Sequence, residues 1–337
     1  MTVAADVMEP KAQGPTTSAR ASRWVRDNAW TLGLLFFLGL LLILTKIIEP
    51  TYNASGIQGL LISCVPLGLA AVAQAVVVIS GGIDLSIGSQ MALTSIVAAV
   101  LMQNQSEEFA VVIALGVLVL GMFLGLVNGL AVVITKVPDI VVTLAMAFVW
   151  AGFALLVKST PGGAAAQWLK DLILGSLGNE WIPKSAIVLI VLVAIVWIPL
   201  SRSRIGLSLY AVGSSQLAAF RSGVSVGRTK LIAYTLTGLF AAMAGMSLNA
   251  GTGIGTPVPG PYTLFSVAAI VLGGVSLAGG RGVVFGAIIA VVILQLIKND
   301  LTFLNFNSNL ALVSQGVILI GVVAVGSYLQ MRRSKAR

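Results

Sequence analysis

The sequence predicts an all-α, polytopic membrane protein of about ten transmembrane helices, with one short cytoplasmic helix between the sixth and the seventh. Three observations predict it. Charged residues make up 9% of the chain and hydrophobic residues 58%, against about 25% charged in a typical soluble protein. The apolar residues gather in stretches of about 20, the length that crosses a hydrocarbon core as a helix. An eight-residue phrase then occurs twice, each copy interrupting such a stretch: Gly81-Gly82-Ile83-Asp84-Leu85-Ser86-Ile87-Gly88 and Gly273-Gly274-Val275-Ser276-Leu277-Ala278-Gly279-Gly280. Paired glycine interruptions of hydrophobic segments point to the working part of a transporter.

In order, spans are expected near 30–48, 57–80, 86–103, 109–134, 139–158, 184–200, 231–249, 264–280, 282–299 and 309–329. The first is not read as a cleaved signal peptide, because it follows a long polar stretch and lacks a small-residue cleavage site. With ten spans both termini share a side, and that side receives fifteen of the 20 lysines and arginines, among them Arg23, Arg26, Arg202, Arg204, Arg228 and Lys230. The other side keeps Lys46, Lys158, Lys170, Lys184 and Lys298. That asymmetry makes both termini cytoplasmic. The net charge of +9 is then a matter of topology, and no nucleic-acid partner is expected. Residues 1–29 read as a cytoplasmic tail, disordered at least over its Pro, Gly and Thr-Thr-Ser part. The membrane-embedded body runs from 30 to 330, and 331–337 is a second cytoplasmic tail. Residues 159–183 form the longest outward loop.

Several chemistries are excluded. The chain has no histidine, so imidazole metal sites and histidine triads are absent. The single cysteine, Cys64, cannot form an internal disulfide. Around Gly223–Thr229 the spacing does not fit a phosphate-cradling loop, so no nucleotide is expected to be hydrolysed here and the chain is not read as an enzyme.

The candidate pathway or gate residues are Gly81, Gly82, Asp84, Asn128, Asn249, Gly273, Gly274 and Ser276. Asp84 is the outstanding acid, since a charge at bilayer depth costs about 2.5–3.5 kcal/mol or more and so faces protein or water. Two roles are open to it: contact with the solute path, or capping of a helix that starts at Leu85, with Ser86 beside it. The glycines fit close helix packing and a permissive break, and a break is also where a path can open. Gln74, Gln90, Asn128, Asn249 and Gln295 are uncharged groups suited either to a wet cavity or to helix-to-helix hydrogen bonds.

The cytoplasmic loop 201–230 is long for this chain. Within it Ser215–Ser222 can form two helical turns between Gly213 and Gly223, with Ser214 or Ser215 as N-cap and Gly223 as the left-handed terminator. Leu217, Phe220 and Arg221 share one face. Such a helix suits a cleft on another protein, or lies on the headgroups with Phe220 as anchor.

Ala218-Ala219 with Gly223 following resembles the coupling helix of binding-protein-dependent ABC importer permeases. Ile79 to Ser89, Val127-Asn128-Gly129, Ala211-Val212-Gly213, Ser222-Gly223-Val224 and Val271 to Gly282 are similar, in register, to the ribose-type (carbohydrate uptake class 2) permeases. The resemblance runs from about residue 30 to 330. It implies a bacterial inner-membrane permease that moves a monosaccharide or a related small polyhydroxylated solute by alternating access. It also implies partners: a second permease copy in a homodimer or heterodimer, a periplasmic or extracellular solute-binding protein, and two ATP-binding units carrying ATP and Mg. No cofactor is implied in this chain. The coupling residues would be Gly213, Leu217, Ala218, Ala219, Phe220, Arg221 and Gly223. Two departures stand out: Leu217 sits where relatives often carry glutamate, and Tyr262-Thr263-Leu264-Phe265 replaces a Tyr-Glu-Leu-Asp pattern. Two other functions compete, an ion-coupled secondary transporter and an ABC permease for branched-chain amino acids.

Overall fold

The computed structural model describes residues 29–307 apart from Pro259, together with single positions between 310 and 321. Its elements, in chain order, are α1 (Ala29–Ile48), α2 (Ala54–Ile79), α3 (Ile87–Met102), α4 (Glu107–Thr135), α5 (Asp139–Val157), α6 (Gln167–Ile173), β1 (Ser176–Leu177), β2 (Asn179–Pro183), α7 (Lys184–Arg202), α8 (Arg204–Ser214), α9 (Gln216–Arg221), α10 (Val226–Thr252), α11 (Tyr262–Leu272) and α12 (Val284–Phe303). Seven of these helices are long and apolar enough to cross a membrane: α1, α2, α4, α5, α7, α10 and α12. The chain is a helical, multi-pass membrane protein.

The expected third and eighth spans are shorter than that. At about 1.5 Å per residue, the 16 residues of α3 reach about 24 Å and the 11 of α11 about 16 Å, against a core of about 30 Å. The eighth segment is not helical to 280, because the chain turns at Gly274, Gly279 and Gly280, all with positive φ. The tenth segment, 309–329, and the N-terminal tail up to residue 28 lie largely or wholly outside the described residues, as does the C-terminal tail.

Two further differences concern the loops. The loop 159–183 contains α6 and a two-stranded antiparallel hairpin, β1 with β2. The loop 201–230 is mostly helix, since α8 fills its first half, and Gly213 lies in the last turn of α8.

The core is α2, buried without interruption from Cys64 to Ile79, with α10 packed on it and on α3 and α4. Sequence explains the close α4–α10 crossing. Gly121, Gly125 and Gly129 recur every fourth residue on α4. A methyl added at Gly125 would lie 2.1 Å from the Tyr234 carbonyl oxygen, and one at Gly238 of α10 would lie 2.0 Å from that of Gly121. Small residues at this spacing let membrane helices approach backbone to backbone, gaining dispersion contacts where no hydrophobic force separates helix from lipid. The bulky apolar side chains of α1, α5 and α7, such as Phe36, Phe148 and Ile190, stay exposed, as lipid-facing residues do.

Candidate functional site

The first glycine phrase is the connection between α2 and α3. Gly81, with φ of 83°, reverses the chain after Ser80, and Asp84 then closes a turn ahead of α3. Its Oδ1 accepts the Ser86 N–H at 2.8 Å and the Ser86 hydroxyl at 2.6 Å. Its Oδ2 is approached by Gln90 Nε2 at 3.3 Å and Asn128 Nδ2 at 3.5 Å. The helix begins at Ile87, with Ser86, itself in the αR region, in the cap position, and the Asp84 carboxylate makes the bond of a capping side chain to an N–H two residues on, just ahead of that first turn.

The network runs on to two other helices. Ser86 Oγ accepts from Gln90 Nε2 at 2.8 Å and from Asn128 Nδ2 at 2.7 Å. Asn128 Oδ1 accepts the Trp150 indole N–H at 3.0 Å. Asp84, Ser86, Gln90 and Asn128 are fully buried, so each of these bonds replaces one that water would otherwise make. The carboxylate therefore locks α3 to α4 and, through Asn128, to α5.

A second polar clamp faces the same break. Lys230 Nζ at the start of α10 donates to both Asp139 oxygens at 3.1 and 3.2 Å, and the Tyr234 hydroxyl donates to Oδ2 at 3.0 Å. Thr143 Oγ donates to the Ile83 carbonyl and accepts the Leu85 N–H, both at 3.1 Å. A methyl on Gly82 would lie 2.6 Å from Asp139 Oδ2, so glycine there leaves room for the ion pair.

The second phrase joins α11 to α12 and is held differently. Gly273 packs against Gly286 and Ala287 of α12, and Gly274 against Trp30 of α1. The Trp30 indole donates to the Leu272 carbonyl at 2.8 Å, capping the end of α11. Ser276 Oγ accepts only from Ala278 N, at 3.3 Å.

Both phrases and the loop helices meet. Gly280 N–H donates to the Ile79 carbonyl at 3.0 Å, and Gly213 of α8 lies between Gly81 and Gly279. The Tyr210 hydroxyl on α8 donates to the Gly282 carbonyl at 2.9 Å. Burial pushes its pKa up, which keeps that donor protonated. Just beyond, Ser215 Oγ accepts the Ala218 N–H at the head of α9, and Gly223 takes φ of 82° after its end. Leu217 and Phe220 are 61% and 69% exposed while Ala219 is buried, so α9 presents an apolar face outward. Ala218 and Arg221 lie on the exposed side as well.

The two short helices also touch at their first turns, where Gly88 N–H donates to Thr263 Oγ at 2.9 Å. Beside the start of α11, a cavity of about 150 Å³ is lined by Pro261, Tyr262, Phe265, Gln295 and Lys298. Asn249 is fully buried in α10 and, with Gln74, has no side-chain partner among the described residues. It is not joined to the Asp84 network. Gln295 Nε2 donates to the Ser63 carbonyl, tying α12 to α2. Sequence reasoning passed over Trp30, Thr143, Trp150 and Tyr234. Asp139 and Lys230 carry a signal in the sequence, as charges at span edges.

Residues 56–323 match the family described as Branched-chain amino acid transport system / permease component. The chain is 33% identical over 292 residues to the Ribose import permease protein RbsC of Bacillus subtilis (strain 168), covering 84% of this chain and 89% of that one. It is 32% identical over 338 residues to the Probable ABC transporter permease protein YphD of Escherichia coli (strain K12), covering 97% and 98%. It is 30% identical over 324 residues to the Galactose/methyl galactoside import permease protein MglC of Haemophilus influenzae, covering 90% and 94%. No solved structure gives a significant match. Matched over most of its length by the family and nearly end to end by curated permeases, the chain belongs to the branched-chain amino acid transport permease component family, and within it to the ribose-type ABC importer permeases.

Proposed function

We propose that this chain is the membrane-spanning subunit of an ATP-driven, binding-protein-dependent importer that brings a monosaccharide or related small polyhydroxylated solute into the cytoplasm. The observation that carries the substrate class is the near full-length similarity to permeases named for ribose and for galactose and methyl galactoside. The family description names branched-chain amino acids, but the relatives aligned above that name a solute name sugars. The cavity beside α11, with the Tyr262 ring, the Gln295 amide and the Lys298 ammonium, has the mixture of aromatic face and hydrogen-bonding groups that a hydroxyl-rich solute fits.

An ion-coupled mechanism would need an acid free to bind the coupling ion. Asp84 is instead engaged by Ser86, Gln90 and Asn128, and Asp139 is paired with Lys230; Asp300 accepts from Thr45 through Oδ1 at 2.7 Å, and its Oδ2 has no partner among the described residues.

In this reading two permeases enclose one path, a solute-binding protein delivers cargo outside, and both termini are cytoplasmic. ATP and Mg reside on separate ATP-binding subunits. Closure of those subunits presses on α9, whose exposed Leu217 and Phe220 seat in a cleft, and the press tilts the helix bundles between outward- and inward-open states. Solute drives the cycle only through different affinities for the two states.

The test is uptake of labelled ribose and galactose by proteoliposomes holding the permease, its ATPase and its binding protein. Uptake should need ATP and should stop when the ATPase is disabled. Phe220→Asp should insert normally yet lose most solute-stimulated ATP hydrolysis. Undiminished uptake with a dead ATPase would sink the reading.

A further inference from the structure

We propose that the last turn of α8, at Gly213, is a mechanical junction that binds α9 to both glycine breaks at once, so that a displacement of α9 moves the two breaks together. This rests on the reading of α9 as the ATPase contact.

The geometry leaves no slack at this point. A methyl on Gly213 would lie 1.9 Å from the Ile79 carbonyl oxygen and 2.6 Å from Gly280 N. One on Gly279 would lie 2.9 Å from both the Gly213 oxygen and Gly81 Cα, and one on Gly280 would lie 2.6 Å from Ser214 N. Three backbone segments distant in sequence are therefore in direct contact, with no side chain between them. The Gly280-to-Ile79 hydrogen bond ties the second break to the end of α2, and the Tyr210-to-Gly282 bond ties the same loop to α8. Only Ser214 and Ser215 separate Gly213 from the first residue of α9.

Backbone packed against backbone is stiff. Protein interiors have low compressibility and transmit strain, whereas long side chains in the gap would absorb a shift by changing rotamer. Gly81, Gly279, Gly280 and Gly282 all take positive φ, so each turn holds a conformation a substituted residue would resist. The repeated phrase thus places two permissive turns against one helix end. The first turn controls where α3 starts, the second where α12 starts.

A plain packing role predicts that substitutions here lower the amount of folded transporter. A junction predicts that they uncouple the folded transporter. The experiment measures solute transported per ATP hydrolysed by the assembled complex in proteoliposomes, normalised to complex recovered. For Gly213→Ala the ratio should fall at least about fivefold, the lower end of usual coupling energies. Tyr210→Phe adds no volume and removes one hydrogen bond, so it should assemble at normal yield and lose about threefold in the same ratio. Gly116→Ala, where the methyl meets open space, should keep the full ratio.

Should Gly213→Ala fail to assemble, Tyr210→Phe decides alone. A full transport-to-ATP ratio in Tyr210→Phe, or in an assembled Gly213→Ala, overturns the junction and leaves the importer reading intact. ATP-independent uptake by the unaltered complex overturns the importer reading instead.

Discussion

The two copies of the glycine phrase turn the chain at the same junction, yet they are secured by different means. In the first, a buried carboxylate gathers Ser86, Gln90 and Asn128, and a separate ion pair of Asp139 and Lys230 closes on Gly82. In the second, Ser276 stands where Asp84 would be, and the loop is held by backbone bonds such as Ser276 N–H to the Arg281 carbonyl at 3.0 Å. The difference teaches that the two copies share a left-handed glycine turn, at Gly81 and one position later in the phrase at Gly274, and not the anchor. The first break is keyed by side chains to α4 and α5, so a shift of it carries those helices with it. The second leans on α1 and α12 through packing and one indole cap, and its Leu277 is exposed.

The largest expected effect tests that contrast directly. Asp84→Ala leaves the Ser86 N–H and hydroxyl buried without their acceptor, at about 1–3 kcal/mol for each group stranded, while Gln90 and Asn128 keep Ser86 Oγ, so we expect a total loss of about 3 kcal/mol. Ser276→Ala removes one long, exposed hydrogen bond and should cost under about 1 kcal/mol. Thermal unfolding of the two purified variants in the same detergent checks the pair. Equal losses would mean that the two breaks are anchored alike after all.

Much of this architecture was legible because hydropathy dominates the sequence. The long helices appear where apolar stretches of the right length appear. The short ones could not be told from spans. α3 and α11 are apolar like their neighbours, and α3 is buried in protein over most of its length, which composition does not distinguish from burial in lipid. The hairpin at 176–183 escaped notice because a two-residue strand carries no alternation. For the site, Asp84 and Asn128 both stood out as polar residues in apolar runs. That they bond to one another depends on the α3–α4 crossing, and the link to Trp150 depends on α5 as well. Likewise Asp139 and Lys230 are visible as charges at span ends, but their pairing across the fold is set by packing. Gly213 looked like a loop residue because it precedes two serines; its role needed three segments in one place.

An intermediate effect belongs to the clamp on the first break. Gly82→Ala drives a methyl to within 2.6 Å of Asp139 Oδ2 and 3.1 Å of the Tyr234 hydroxyl. The carboxylate must move, which weakens both the Lys230 pair and the tyrosine bond. Overpacking of this kind costs about 1–3 kcal/mol. If the damage passes through Asp139, Gly82→Ala and Lys230→Met should not add: the double variant should be less destabilised than the sum of the singles. Strict additivity in a thermal-unfolding cycle would show that Gly82 acts independently of the ion pair. The matching glycine, Gly274, meets the Trp30 ring and no charge, so Gly274→Ala combined with Lys230→Met should add.

The smallest effect lies at the far end of the side-chain network. Trp150→Phe keeps an aromatic ring beside Phe153, whose centroid lies 6.1 Å away, and removes only the indole N–H. Asn128 Oδ1 then loses its donor in a buried site, at about 1 kcal/mol. Asn128 Nδ2 still holds Ser86 Oγ at 2.7 Å, so α3 should keep its place and transport per ATP should be unchanged. The size of the loss says how the anchor is built. A loss of about 1 kcal/mol means a chain of separable bonds, in which α5 is braced by the break without controlling it. A loss approaching that of Asp84→Ala would mean that carboxylate, serine, amide and indole act as one cooperative unit. The anchor of the first break would then extend to α5, and the contrast with the second break would be sharper still.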